Sequence, residues 1–347
     1  MTHLRVVWTR YALQISLLVV VVGLFAVIAP DFVGENALFA VLERLVPLGI
    51  ITAGIAVTMI VGELDLSIAS LAAVSGAGVI VFGDSGLGLV PLILGATLFG
   101  AVVGAVQGWA VARLGISSLV LTVATLILFR GAASLVTDGV PVSLANYTMT
   151  DPLLQRSWVF SPLAVTALVV VLVLGLYLSR TRPGRALYAI GGGRAEAAAA
   201  GVPVRKTLVI AFAISGGCGA LAGAMSSLRS GSATPDGFGS MLLLGVAAAL
   251  VGGIKLSGGR GDMVNVLLGV FITSTLASGL SSMGVKSYVS ELLTGVLLLA
   301  VIALEAALLW AARGRQRQKD RNDSLGLTPR APRSSSSRES VGARAAL

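Results

Sequence analysis

The sequence predicts an all-α polytopic membrane protein with about ten transmembrane helices, some of them broken or re-entrant. Three observations carry that prediction. Of the 347 residues, 56% are hydrophobic and only 12% are charged, and the mean hydropathy is +0.93. Apolar runs of roughly 20 residues, the length that crosses a bilayer as a helix, recur from end to end. The 43 glycines fit as well, because glycine lets lipid-embedded helices approach closely and breaks them where a cavity needs irregular backbone.

In chain order the runs lie near 11–29, 42–61, 66–83, 87–112, 116–136, 161–179, 207–229, 240–254, 262–283 and 287–309. The first follows Arg5 and Arg10, as a signal peptide would, but its apolar core is long and Pro30 follows the Ala29 cleavage position. An uncleaved signal anchor is expected. The short gap 62–65 and the short segment 240–254 are the two candidates for broken or re-entrant helices. A transmembrane domain is expected over 1–312, followed by a Ser-, Arg- and Pro-rich tail over 313–347 that is too polar to build a core and should be disordered.

Charge orients the chain. Of the 25 Lys and Arg, only Arg156, Arg229 and Lys286 fall on segments that ten spans from a cytoplasmic amino terminus would put outside; Arg44 and Arg130 fall within spans. The rest sit on inner segments, the asymmetry of the positive-inside rule. Both termini are expected in the cytoplasm of a bacterial inner membrane. The net charge of +9 is spread between apolar runs and along the tail, so no nucleic-acid surface is expected. One cysteine, Cys218, excludes an intramolecular disulfide, and a single histidine, His3, argues against a His/Cys metal site. No cofactor is expected.

Charges next to apolar runs are costly and point to function. Gly62-Glu63-Leu64-Asp65-Leu66-Ser67 places two carboxylates between two runs. Either the glycine breaks a helix, and exposed N–H groups hold a carboxylate or a polar solute, or the segment is a tight turn with Asp65 capping the next helix; spacing leaves both open. Gly252-Gly253-Ile254-Lys255-Leu256-Ser257 repeats the pattern of glycine, aliphatic residue, charge, Leu and Ser, which suggests an internal duplication. Glu63, Asp65, Ser67, Lys255 and Ser257 are therefore candidates for the translocation path or its gate. Arg130, in the outward half of its run, either pairs with an acid or snorkels, and joins them as a candidate.

Leu256-Ser257-Gly258-Gly259-Arg260 imitates the signature peptide of ABC ATPases, yet no G-x-x-x-x-G-K-[ST] phosphate loop occurs in the chain. The chain is not expected to be an enzyme or to hydrolyse ATP. The inner connector Arg180–Thr207 carries Arg194-Ala195-Glu196-Ala197-Ala198-Ala199-Ala200-Gly201, good helix formers stopped by glycine with Pro203 beyond. A short helix there suits docking against a partner, with Glu196, Ala197, Ala198 and Gly201 as the coupling residues; a plain structural connector is the alternative.

At these residues the chain resembles the permease subunits of ribose-, xylose- and galactose-type ABC importers. Gly62–Ser67 with Ile68-Ala69-Ser70 resembles their G-G-I-D-L-S-type segment, and Leu121–Leu126 with Arg130-Gly131 the next characteristic stretch. Thr181–Gly192 resembles their cytoplasmic loop, and Gly252-Gly253 with Leu256–Gly261 the last one. The resemblance runs in order over about 45–305. It implies uptake of a monosaccharide or related small polyol or autoinducer, with two cytoplasmic ABC ATPase subunits, an extracytoplasmic solute-binding protein and a second permease subunit, identical or paralogous, within the membrane lipid. Glu63 stands where such permeases usually have glycine, and Lys255 where a small residue is common. Asp65 is therefore expected to be structural and Glu63 the more tolerant. An ion-coupled secondary transporter with Glu63 and Asp65 as ion sites is the rival reading, and a membrane enzyme, lacking any nucleophile–base constellation, a distant one.

Overall fold

The computed structural model describes residues 2–286, 288–296, 299, 300 and 303. The expected tail 313–347 and much of the expected tenth span 287–309 lie outside the described residues.

The chain begins with helix α1 (Thr2–Ile28), then a 3-10 turn and α2 (Glu35–Ile60), α3 (Ile68–Val81), α4 (Leu89–Leu114) and α5 (Ser118–Val136). Short elements follow: β1 (Val142–Ser143), a 3-10 turn and α6 (Asp151–Leu154). After them come α7 (Pro162–Arg180), α8 (Arg182–Gly192), α9 (Arg194–Ala199), α10 (Val204–Ser230), β2 (Ser232–Ala233), α11 (Gly239–Gly252) and α12 (Met263–Ser282). Among the described residues eight helices are long and apolar enough to cross a membrane. Helix α11, at 14 residues, spans about 21 Å at 1.5 Å per residue and falls short of the roughly 30 Å hydrocarbon core, so the doubtful segment 240–254 is a partial span.

Helix α2 is apolar on all sides, which sends it to the centre, and Leu45 to Ile60 are buried almost without interruption. Helices α3, α10, α11 and α12 pack around it, with α7 against another side. Helices α4 and α5 leave most of their apolar surface exposed, as lipid-facing helices do: Val106, Leu119, Val120 and Ile127 are all exposed. One close crossing is α4 on α10. Gly100, Gly104 and Gly108 recur every four residues on the buried face of α4, and a Cβ on Gly104 would lie 2.1 Å from the Phe212 carbonyl oxygen. Only glycine permits that approach, which brings Gln107 of α4 against the centre of the molecule.

Two of the connections between helices end alike. After α2, the N–H of Gly62 donates to the Met59 carbonyl and that of Glu63 to Thr58; after α11, Gly253 donates to Leu250 and Ile254 to Ala249. Both are Schellman stops, with glycine in the left-handed region at φ 84° and 99°. The sequence pattern pairs Gly62 with Gly252, but the backbone pairs it with Gly253. The two connections share a way of stopping a helix, displaced by one residue from the side-chain match.

Candidate functional site

The connection between α2 and α3 starts at an exposed Gly62 and turns inward, so that Asp65 and Ser67 end in the interior. Asp65 and Ser67 are both fully buried. The Asp65 carboxylate accepts from the backbone N–H of Ser67 (3.0 Å), from the Ser67 hydroxyl (2.7 Å) and from the Ser215 hydroxyl of α10 (2.7 Å). It thus folds the break onto its own backbone and onto α10. Helix α3 starts at Ile68, with Ser67 as its capping position, so Asp65 organises the turn ahead of the helix rather than capping from Leu66.

From Ser67 the hydrogen bonds continue outward. The Gln107 amide of α4 donates to the Ser67 hydroxyl at 3.0 Å and to the Thr125 hydroxyl of α5 at 2.7 Å. Thr122, also on α5, donates to the Leu64 carbonyl at 3.3 Å. In this connector, outside both flanking spans, burial pushes the Asp65 carboxyl above its ordinary range, and the hydrogen bonds from Ser67 and Ser215 oppose that rise. The result is a neutral, hydroxyl- and amide-rich network around one acid, joining four helices through the break.

Glu63 turns the other way. Its carboxylate accepts from the Ser118 hydroxyl in the first turn of α5 and pairs with the Arg194 guanidinium at the first residue of α9. The break is therefore tied to the connector as well as to the spans. Backbone contacts strengthen that junction. Gly259 donates to the Ile60 carbonyl at 2.8 Å, and a Cβ on Gly191 would sit 1.9 Å from the same oxygen. A Cβ on Gly258 would lie 2.9 Å from both the Gly62 Cα and the Gly191 carbonyl oxygen. The loop after α2, the loop after α11 and the end of α8 thus meet on one face of the molecule.

The other expected site residues separate from this centre. Lys255 and Ser257 are exposed on the second loop, and only its glycines reach the junction. Arg130 does not belong to the break: from the second half of α5 it forms an exposed two-pronged pair with Asp236, at 2.6 and 2.9 Å. On the connector, α9 ends in a third Schellman stop, with Gly201 donating to Ala198 and Val202 to Ala197. Ala197 packs inward, while Glu196, Ala198 and Gly201 face outward.

Three functional-looking residues were missed by sequence reasoning. Gln107 and Ser215 are neutral and therefore silent in a search for intramembrane charge. Glu43 did carry a signal, an acid within the first turn of an apolar run. It is buried, accepts from the Ser161 hydroxyl that caps α7, and lies 2.7 Å from the Arg229 guanidinium at the end of α10, an ion pair by distance though outside hydrogen-bond alignment. Pro47, four residues on, lacks the N–H that would bond the Glu43 carbonyl.

Comparison with known proteins places this architecture. The ribose import permease protein of Bacillus subtilis (strain 168) is 31% identical over 291 residues, covering 83% of this chain and 90% of its own. The autoinducer 2 import system permease protein of Enterobacter sp. (strain 638) is 31% identical over 313 residues, 88% of this chain and 90% of its own. The D-allose transport system permease protein of Escherichia coli (strain K12) is 28% identical over 301 residues, 86% and 92% of the respective chains. No solved structure matches. The family model described as branched-chain amino acid transport system / permease component matches residues 37–302, from α2 past the end of α12, and the chain belongs to that family.

Proposed function

We propose that this chain is the membrane-spanning permease subunit of an ATP-driven, binding-protein-dependent importer, and that its cargo is a monosaccharide or a related small polyol or autoinducer. The observation that carries the reading is the near full-length similarity to import permeases whose names specify ribose, allose and autoinducer 2. The break supports a neutral cargo. Hydroxyl and amide groups of Ser67, Gln107, Thr122, Thr125 and Ser215 surround it, and the single buried carboxylate is taken up by Ser67 and Ser215. An amino-acid zwitterion would call for a free charge of each sign, and this network offers neither.

In this reading the face where the two loops meet α8 and α9 is cytoplasmic, which the basic residues of Arg180–Lys206 support. Two ABC ATPase subunits dock there, with α9 as the contact. The solute-binding protein docks on the opposite face, near Arg130 and Asp236, and a second permease subunit, identical or paralogous, completes the pore within the lipid. Ion-coupled transport fits less well, because the side chain of Glu63 is engaged by Arg194 and Ser118.

The test is reconstitution of the chain in proteoliposomes with and without a candidate ABC ATPase and solute-binding protein. Uptake of labelled pentoses and hexoses should require ATP and both partners. Uptake by the chain alone, driven by a proton or sodium gradient, would overturn the assignment, and ATP-driven uptake of branched-chain amino acids but no sugar would overturn the cargo.

A further inference from the structure

We propose that Glu63 and Arg194 form a latch that carries the position of α9 into the break between α2 and α3 and onto α5. The proposal rests on the importer reading above and goes beyond it, since it assigns the coupling step to one pair of side chains. Two independent observations point to it.

The first is the pair itself. Glu63 lies in the break, Arg194 opens α9, and 131 residues of chain separate them. The Glu63 side chain is only 12% exposed whereas that of Arg194 is 51% exposed, so a shielded acid receives a cation delivered from the surface element. The second oxygen of Glu63 accepts from Ser118, itself buried in the first turn of α5, where the helix dipole favours a negative charge. A single carboxylate thus ties together the connector, the break and a span.

The second observation is the glycine packing beside the pair. Beside it Gly191, Gly258, Gly259 and Gly62 meet backbone to backbone, with Gly259 donating to Ile60; the Tyr188 hydroxyl of α8 donates to the Gly261 carbonyl at 2.9 Å, and Leu187, Ile190 and Ala197 are buried. Glycine surfaces touch closely but do not interlock, so side-chain bonds such as Glu63–Arg194 and Tyr188–Gly261 set the register there. Of these two, the ion pair is the one that reaches the break. A force applied to the exposed side of α9 moves Arg194, and Glu63 passes the motion to the Asp65 network one residue beyond Leu64 and to α5 through Ser118. If the pair is broken, α9 can still be held by a partner, but its movement no longer reaches the spans.

The pair is a positioning device, so its test reads coupling rather than activity alone. The full complex is reconstituted with its ATPase and solute-binding protein, and solute moved per ATP hydrolysed is measured for Glu63→Gln, Arg194→Gln, the double variant, and the exchanged pair Glu63→Arg with Arg194→Glu. Each single variant should lower transport per ATP by about fivefold or more, the low end of ordinary coupling energies, while ATP hydrolysis persists. The double variant should be no worse than either single one, and the exchanged pair should recover part of the loss. Should Glu63→Gln fail to accumulate, Arg194→Gln, whose side chain is half exposed, carries the test. Parental transport per ATP in Arg194→Gln, or losses that add in the double variant, would overturn the latch. Absence of ATP-driven uptake by the unsubstituted complex would instead overturn the importer reading, which keeps the two failures apart.

Discussion

Replacing Asp65 by alanine should damage the break, and the structure says by how much. Three donors lose their acceptor. The Ser67 hydroxyl can donate instead to the Gln107 carbonyl oxygen, 3.3 Å away, and the Ser215 hydroxyl can turn toward a carbonyl one turn back on α10. The backbone N–H of Ser67 has no such substitute and is fully buried. An unsatisfied buried donor costs about 1–3 kcal/mol, from which relief of a buried carboxylate subtracts a part. A loss of at most a few degrees in apparent unfolding temperature follows, since a chain of 347 residues shifts by less than the about 2–4 °C per kcal/mol of 150–250-residue proteins. Asp65→Asn keeps an acceptor for Ser67 and offers an N–H to Ser215, and should stay close to the parent. Burial raises the Asp65 carboxyl above its ordinary range, so its favourable contribution is complete below the unfolded value and is lost as pH rises through the folded one. The stability of the parent relative to Asp65→Asn should therefore improve as pH falls from neutral. The assay is thermal unfolding of the detergent-solubilised chain, followed by size-exclusion fluorescence, beside sugar uptake by the complete system. Parental stability and uptake in Asp65→Ala would refute the reasoning and reduce the break to an ordinary turn.

Two further outcomes follow from the packing. Gly104→Val should lower apparent unfolding temperature and abundance, since a Cβ there meets the Phe212 oxygen at 2.1 Å and overpacking costs about 1–3 kcal/mol, whereas Gly95→Val on the same helix, with nothing within 4 Å, should be neutral. Gly201→Pro should separate ATP hydrolysis from uptake while leaving membrane abundance unchanged: Gly201 holds φ 79° and donates to Ala198, and proline permits neither, so the stop of α9 must reshape. Normal solute transport per ATP in that variant would argue against docking at α9.

Much of the fold was legible because lipid makes hydrophobic length a direct signal. The central helix α2, the lipid-facing α4 and α5, and α9 with its stop at Gly201 all follow from apolar length, helix formers and a terminating glycine. The short α11 was marked as doubtful for the same reason, its length. The site was legible only where it carried charge. Glu63 and Asp65 stood out against an apolar background, but their partners did not: Ser118, Gln107 and Ser215 belong to helices that reach the break only after α4 and α10 cross. Arg194 was visible as a basic end of the connector, yet nothing in its local spacing joins it to Glu63. Arg130 shows the converse, a conspicuous charge whose partner, Asp236, holds it at the other end of the molecule.

The same contrast explains how the two ends of α10 come to differ. Near its middle, Ser215 reaches Asp65, and glycine surfaces let α4 lie against the helix backbone. At its far end the half-exposed Arg229 meets the buried Glu43 of α2 beside Ser161, where separation is resisted because the shielded carboxylate left without its cation is costly. Helix α10 is therefore fixed by charge at one end and by small, neutral contacts along its length. A structure built in that way moves most readily where its contacts are backbone and hydroxyl, around the break and the glycine junction, and least where Glu43 holds α2, α7 and α10 together. Movement imposed through α9 would thus enter at the pliable end of the helix core and turn against the fixed one.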